Sequence, residues 1–253
     1  MNDSLKLFIL QAVAHVGLLL LILFGSSFDW IVCLLVYFVT GCFGVTMTYH
    51  RLLSHRAWSA PRWWSVFGPL CGVWGAVGSP IAWVATHRAH HRDADGLSDP
   101  HSPIHRSWWR VQWLSMFDAS SPKFAVDLLR SNFHVFLHRR YFTIHIVCGL
   151  LLFLIDPWLV VIAYLAPAAV LWNAGSLINT VGHLWGYRNH STKDNSHCNP
   201  FLGFFIFGEG WHNNHHASPA SPSFQYRWWE FDIGYFLIRL LDNANKRTSA
   251  NSL

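Results

Sequence analysis

Two apolar runs constrain this chain more than any other feature. Leu7–Phe24 and Trp30–Met47 are each 18 residues long and contain no Asp, Glu, Lys or Arg. A helix of that length rises about 27 Å, close to the ~30 Å hydrocarbon core of a bilayer. The runs are joined by the turn Gly25-Ser26-Ser27-Phe28-Asp29. Two such runs in tandem disfavour buried helices of a soluble domain and predict a membrane hairpin. The first run is too long for the apolar part of a signal peptide, lacks a small-x-small cleavage site and is followed at once by a second span, so it is expected to be retained.

A second hairpin is expected from residues 141–155 and 159–178, broken at Asp156-Pro157. Only 12% of the residues are charged, about half the roughly 25% of a typical globular domain. The net charge of +5 does not point to nucleic acid, because the basic residues lie beside the apolar runs. Neither 25–29 nor 155–158 contains Lys or Arg, so both termini and the middle segment are placed in the cytosol. The five cysteines form no CxxC pair, which disfavours a cysteine zinc site or a disulfide framework. The expected fold is all-α, a single membrane-embedded domain over residues 1–253. Its four transmembrane helices (7–24, 30–48, 141–155 and 159–178) stand under a cytosolic helical cap from 49–140 and 179–242, with a disordered tail at 243–253. Val66–Ala85 is apolar but rich in glycine, and is expected as an interfacial or re-entrant segment or a helix buried against the cap.

Three histidine clusters are predicted at the same membrane face. His87-Arg88-Ala89-His90-His91 and His212-Asn213-Asn214-His215-His216 place imidazoles at i, i+3 and i+4, the spacing of one helix face. His50-Arg51-Leu52-Leu53-Ser54-His55 sits at the end of the second apolar run. At 100° per residue His50 and His55 are about 140° apart, so they share a centre only if the helix extends past the membrane or loosens there. Neutral imidazole is the commonest protein ligand for transition metals. Two, three and three ligands are too many for one metal and suit two. His183 adds a ninth, with Asn179 one helical turn before it. No Asp or Glu lies within the clusters, unlike the carboxylate-rich ligand sets of soluble di-iron bundles.

The boxes HRLLSHR, HRAHH and GEGWHNNHH, with NTVGH between the last two, resemble those of the integral-membrane fatty acyl desaturases of the stearoyl-CoA Δ9 type. Trp83, Asp95, Asp99-Pro100-His101 and Asn173 also fit that pattern, and the likeness covers about residues 40 to 235. The resemblance implies two irons held by His50, His55, His87, His90, His91, His183, His212, His215 and His216, with Asn179 acting through water. It implies O2-dependent removal of two hydrogens from adjacent methylenes, leaving a cis double bond, most naturally Δ9. The substrate would be an acyl chain on CoA or on a membrane lipid. Electrons would come from a separate ferredoxin or cytochrome b5-type donor, since no haem motif follows residue 242. The stretch after the third box is closer to bacterial members, implying a bacterial cytoplasmic membrane with a cytosolic active site.

An unactivated methylene offers no acidic proton, so a redox metal in a dry apolar tunnel suits the chemistry. Asp95, Asp99, His101 and Glu209 are expected to orient ligand imidazoles through their second nitrogens, and Trp83 to border the substrate. His15 and His145 lie within spans and are expected to be internally hydrogen-bonded. Two rivals remain: a hydroxylase or ketolase on the same kind of centre, and a histidine-rich metal transporter, which would need ligands at mid-bilayer. Zinc outranks ferrous iron in intrinsic affinity, so purified protein is expected to carry zinc in place of iron in some preparations.

Overall fold

The computed structural model describes residues 3–114, 117 and 120–250, the side chains of 243–250 excepted. Among the described residues the secondary structure is helical, apart from two isolated bridges that tie Cys198 to Tyr187 and Trp211. The chain opens with α1 (Asp3–Phe24) and α2 (Ser27–Phe38), which runs on without a break into a π-helix at Val39–Ser54. Ser26 starts α2 through a capping box: its hydroxyl accepts the Asp29 N–H at 3.3 Å while Asp29 Oδ2 accepts the Ser26 N–H at 2.8 Å.

Three helical stretches are long and apolar enough to cross a membrane, Asp3–Phe24, Ser27–Ser54 and Pro157–Leu184. A fourth is obtained if α7 (Asn132–Arg139) and α8 (Tyr141–Ile155), bent by 68°, count as one span. The Pro157–Leu184 stretch comprises α9 (Pro157–Val160), a π-turn at Val161–Leu165 and α10 (Ala166–Leu184). Large apolar side chains face outward along these helices, among them Leu19, Ile22, Leu23, Leu35, Leu150 and Leu154. An apolar surface of that extent suits lipid and not water. Inside, Ala14 of α1 meets Ala168 and Ala169 of α10, small residues that let the backbones approach. The polar side chains in this layer each find at least one partner. Gln11 donates to the Ala76 carbonyl at 2.7 Å, and His15 sits 2.7 Å from the Gln11 carbonyl and 3.0 Å from Asn173. His145 is paired with the Tyr164 hydroxyl at 2.6 Å.

Val66–Ala85 resolves into two helices, α3 (Trp64–Trp74) and the first half of α4 (Pro80–Arg92). They are separated by a turn in which Ala76 and Gly78 take positive φ of +56° and +111°. Helix α3 lies along the π-helix so closely that a side chain on Gly44 would meet the Gly72 backbone. The basic stretch that follows forms α5 (Trp108–Trp113), a 3-10 turn at Pro122–Ala125, α6 (Val126–Leu129) and α7. After α10 come two short helices, α11 (Pro200–Phe205) and α12 (His212–Ala217), and then α13 (Ile233–Ala250). The tail expected from residue 243 is therefore helical as far as Ala250: no proline or glycine interrupts α13 there. Residues 251–253 lie outside the described ones.

Candidate metal centre

Four elements deliver the histidines. The π-helix carries His50, and its last turn presents His55. In i→i+5 bonding, residues five apart stack one above the other. The His55 N–H reaches the His50 carbonyl at 3.2 Å, and the two rings lie 5.0 Å apart. The 140° mismatch expected of an α-helix is removed by unwinding the last turns. Helix α4 carries His87, His90 and His91. Its Arg88 points away from the centre, donating to the carbonyls of Leu53 at 2.6 Å and Ser54 at 3.0 Å and to Asp127 at 2.7 Å. That clamp sets the second cluster against the first. His183 ends α10, and α12 carries His212, His215 and His216. Asn214 anchors α12 by donating to the Phe224 carbonyl and to Glu230, each at 2.8 Å.

The nine imidazoles converge as two groups. His50, His55, His87, His91 and His215 form one, and His90, His183, His212 and His216 the other, with ligand nitrogens in each group within 4.8 Å of one another. Asn179 joins neither group. It lines the adjoining cavity together with His90 and His212.

Four of the rings are held by carboxylates at Nδ1: His50 by Glu209 at 2.6 Å, His90 by Asp99 at 2.8 Å, His183 by Asp95 at 2.8 Å and His216 by Asp194 at 2.9 Å. Burial alone would raise Asp95, but the hydrogen bond and charge of His183 bring it down to about 2. Asp99 and Asp194 are likewise held below the usual carboxylate range, against burial, by His90 and His216. An ionised carboxylate accepts, so Nδ1 of each ring donates and Nε2 is the nitrogen turned to the centre. His90 and His216 face each other Nε2 to Nε2 at 3.4 Å. His183 Nε2 lies 3.0 Å from His212 Nε2. Nitrogens brought this close, edge to edge, are placed as they would be around a shared cation. Two nitrogens each ~2.1 Å from one ion are ~3.0–3.4 Å apart at ordinary coordination angles. The spacings in the four-histidine group, 3.0, 3.1 and 3.4 Å, fall in that range. Those of His55–His87 at 2.7 Å and His91–His215 at 2.9 Å are shorter. The all-nitrogen donor set fits divalent transition metals.

The centre is also poised for metal at neutral pH. Burial first, then the mutual repulsion of clustered imidazoles, holds His87, His91, His212 and His215 well below the ordinary histidine value, and His216 is lowered to about 4. These five rings are neutral at pH 7 without having to shed protons.

His101 belongs to this assembly as a supporting residue. It is buried, its ring lies 4.5 Å from that of His90, and its backbone N–H donates to Asp99 at 2.9 Å. Trp83 stacks on His87 at 5.0 Å with 19° between the planes. The sequence reading missed Asp194, which lies in a polar loop and is brought to His216 by tertiary folding. It also missed Arg51. That fully buried guanidinium bonds Asp232 at 3.0 Å, lies 3.9 Å from Glu209 and covers the Phe224 ring at 3.9 Å. Arg51 therefore braces the carboxylate that holds His50. Glu209 itself is aimed inward by a turn in which Phe207 and Gly208 both take positive φ, +53° and +95°.

A cavity of about 190 Å³, mostly apolar, opens against the histidines. His50, His87, His90 and His212 form part of its wall, Gly41, Val45, Leu171 and Phe207 line it on the membrane-helix side, and Asp3, Ser4 and Phe142 line its outer end. The site is two groups of histidines, each of which could hold a metal ion, at the wall of a mostly apolar cavity.

Comparison with known sequences agrees with this. A family model described as fatty acid desaturase matches residues 28–231, and the chain belongs to that family. The sn-1 stearoyl-lipid 9-desaturase of Anabaena variabilis is 36% identical over 235 residues, covering 90% of this chain and 86% of that protein. The acyl-CoA C20 Delta5-desaturase of Anemone leveillei is 35% identical, with 89% and 76% covered. Delta-9 acyl-lipid desaturase 1 of Arabidopsis thaliana is 35% identical, with 83% and 71% covered. The chain is an oxidoreductase that acts on fatty acyl chains.

Proposed function

We propose that this desaturase is a four-span membrane enzyme whose two helical hairpins stand under a cytosolic cap. It places a cis double bond between carbons 9 and 10 of a saturated acyl chain. Two irons are held by His50, His55, His87, His91 and His215 on one side and His90, His183, His212 and His216 on the other, with Asn179 acting through water. The observation that carries the reading is the convergence of nine imidazole nitrogens, in two groups, on the wall of one apolar cavity. Electrons come from a separate ferredoxin or cytochrome b5-type protein. The absence of Lys and Arg from the turns at 25–29 and 155–158 supports a cytosolic centre. Stearoyl-lipid and acyl-lipid 9-desaturases among the relatives support the Δ9 position.

When bound, the iron pair supplies the one-electron chemistry with O2 that an unactivated C–H bond requires. The chain's own residues do the rest. The apolar wall binds the saturated chain and excludes water, so reactive species meet substrate and not solvent. Trp83 stacks on His87 and lines the cavity, confining the chain beside the ligand rings. Glu209, Asp99, Asp95 and Asp194 fix the tautomer and tilt of four ligand rings, so that all four Nε2 atoms point inward. The test is the fatty-acid profile of an expressing host lacking its own desaturase. A new 9,10-unsaturated acid supports the proposal, and a hydroxylated chain in its place overturns it.

A further inference from the structure

We propose that Ser79 and His138 anchor the acyl carbonyl, and that the length of α4 between them and the histidines selects the carbons that react. The inference rests on the desaturase reading of the cavity and adds the determinant of double-bond position.

Ser79, Ala82, Trp83, Thr86, His87 and His90 all line the cavity. Their spacing of three and four residues marks one continuous face of α4. The cavity therefore follows this helix from its N-cap to the candidate metal centre. Ser79 caps α4 by accepting the Ala82 N–H at 3.3 Å, and its hydroxyl is 2.6 Å from His138 Nδ1. The serine–imidazole pair holds two exchangeable protons. One bridges the pair, and the second can be donated to an acceptor in the cavity.

Of the other polar groups at this end, Ser4 and Asp3 are engaged, while Tyr141 is engaged only as an acceptor. Ser4 donates to the Phe117 carbonyl at 3.0 Å, and Asp3 is paired with Lys6 at 2.8 Å. Tyr141 accepts the Gly78 N–H at 2.9 Å. An acyl chain brings a single strong acceptor at its head, the carbonyl oxygen of an ester or thioester.

The lengths agree. From Ser79 to His87 is eight residues, about 12 Å of helix rise. An extended acyl chain with ~1.5 Å bonds advances about 1.25 Å per carbon, which puts carbon 9 about 10 Å from the carbonyl carbon. A hydrogen bond of about 2.8 Å at the anchor brings the total to about 13 Å, level with His87. A chain held by its methyl end would have no such fixed origin.

The test uses the full-length, metal-loaded protein in lipid nanodiscs, with [1-13C]stearoyl phospholipid in one arm and [1-13C]stearoyl-CoA in the other. Isotope-edited infrared spectroscopy should show the bound carbonyl band moved to lower wavenumber in the arm that matches the natural carrier. His138→Ala should abolish that shift, raise KM about tenfold, and spread the product from one double-bond position to its neighbours. His138→Gln, which keeps a donor, should restore the shift and the single product. A carbonyl shift that survives His138→Ala, or that is lost in Tyr141→Phe instead, overturns the anchor. So does an unaltered single product from His138→Ala. Wild-type protein that makes no unsaturated acid would refute the desaturase reading, while the infrared arm would still decide the anchor.

Discussion

Asp194 shows what a single residue contributes here. Its carboxylate meets His216 Nδ1 at 2.9 Å and is itself held by the Ser196 side chain and backbone. Removing such an outer partner typically lowers metal affinity ~10–100-fold. Asp194→Ala is therefore expected to lose metal by one to two orders of magnitude in a chelator competition, with the helical spectrum retained. His87→Ala and His215→Ala should abolish unsaturated product while the protein still inserts in the membrane. Asp232→Ala leaves the Arg51 guanidinium buried without its closest carboxylate, a change that typically costs ~3–5 kcal/mol; thermal unfolding checks it. That the nine histidines gather was legible in the sequence mainly through the two HxxHH clusters, whose helical spacing places three imidazoles on one face. Asp95, Asp99 and Glu209 were legible from their closeness to a box. Asp194 was not, since it stands 22 residues before His216 and no periodicity joins the two.

Among the elements, the π-helix is the one that α-helical geometry misjudges. Regular 100° steps keep His50 and His55 apart, and only looser winding gives them one direction. Its i−5 pattern recurs in side chains: Thr48 bonds the Phe43 carbonyl at 2.7 Å and Ser54 the Tyr49 carbonyl at 2.8 Å. Nothing in hydrophobic periodicity distinguishes π from α over one apolar run, so only the need for loosening was legible. Gly44→Ala would push α3 off this helix, because the added carbon meets the Gly72 backbone, which is not a flexible chain end. Overpacking of this kind costs about 1–3 kcal/mol. Unfolding in detergent should show that loss, with reduced metal content because His50 moves.

For the whole molecule, the apolar spans were plain from composition, because a lipid-facing helix must be apolar along its length. The break of the 66–85 segment at Ala76 and Gly78, and the helix reaching Ala250, depend on packing and chain continuity that composition does not encode. The buried imidazoles also give the protein a pH dependence. His216, at about 4 in the fold, is below the ordinary 6.5, as are the well-lowered His87, His91, His212 and His215. The unfolded chain therefore takes up more protons once pH drops below about 6.5. The stability due to these groups is full above that pH and is lost as pH falls toward 4. The melting temperature of metal-free protein should decline steadily from pH 7 to pH 4.5, before any carboxylate contribution is lost. A constant melting temperature over that range would contradict it. The four carboxylates behind the imidazoles have one more consequence. Two divalent ions would bring four positive charges into a buried region, and Glu209, Asp95, Asp99 and Asp194 would bring four negative ones. The filled cradle is thus electroneutral, and converting any one of these acids to its amide should shift the pair's redox equilibrium toward the reduced form.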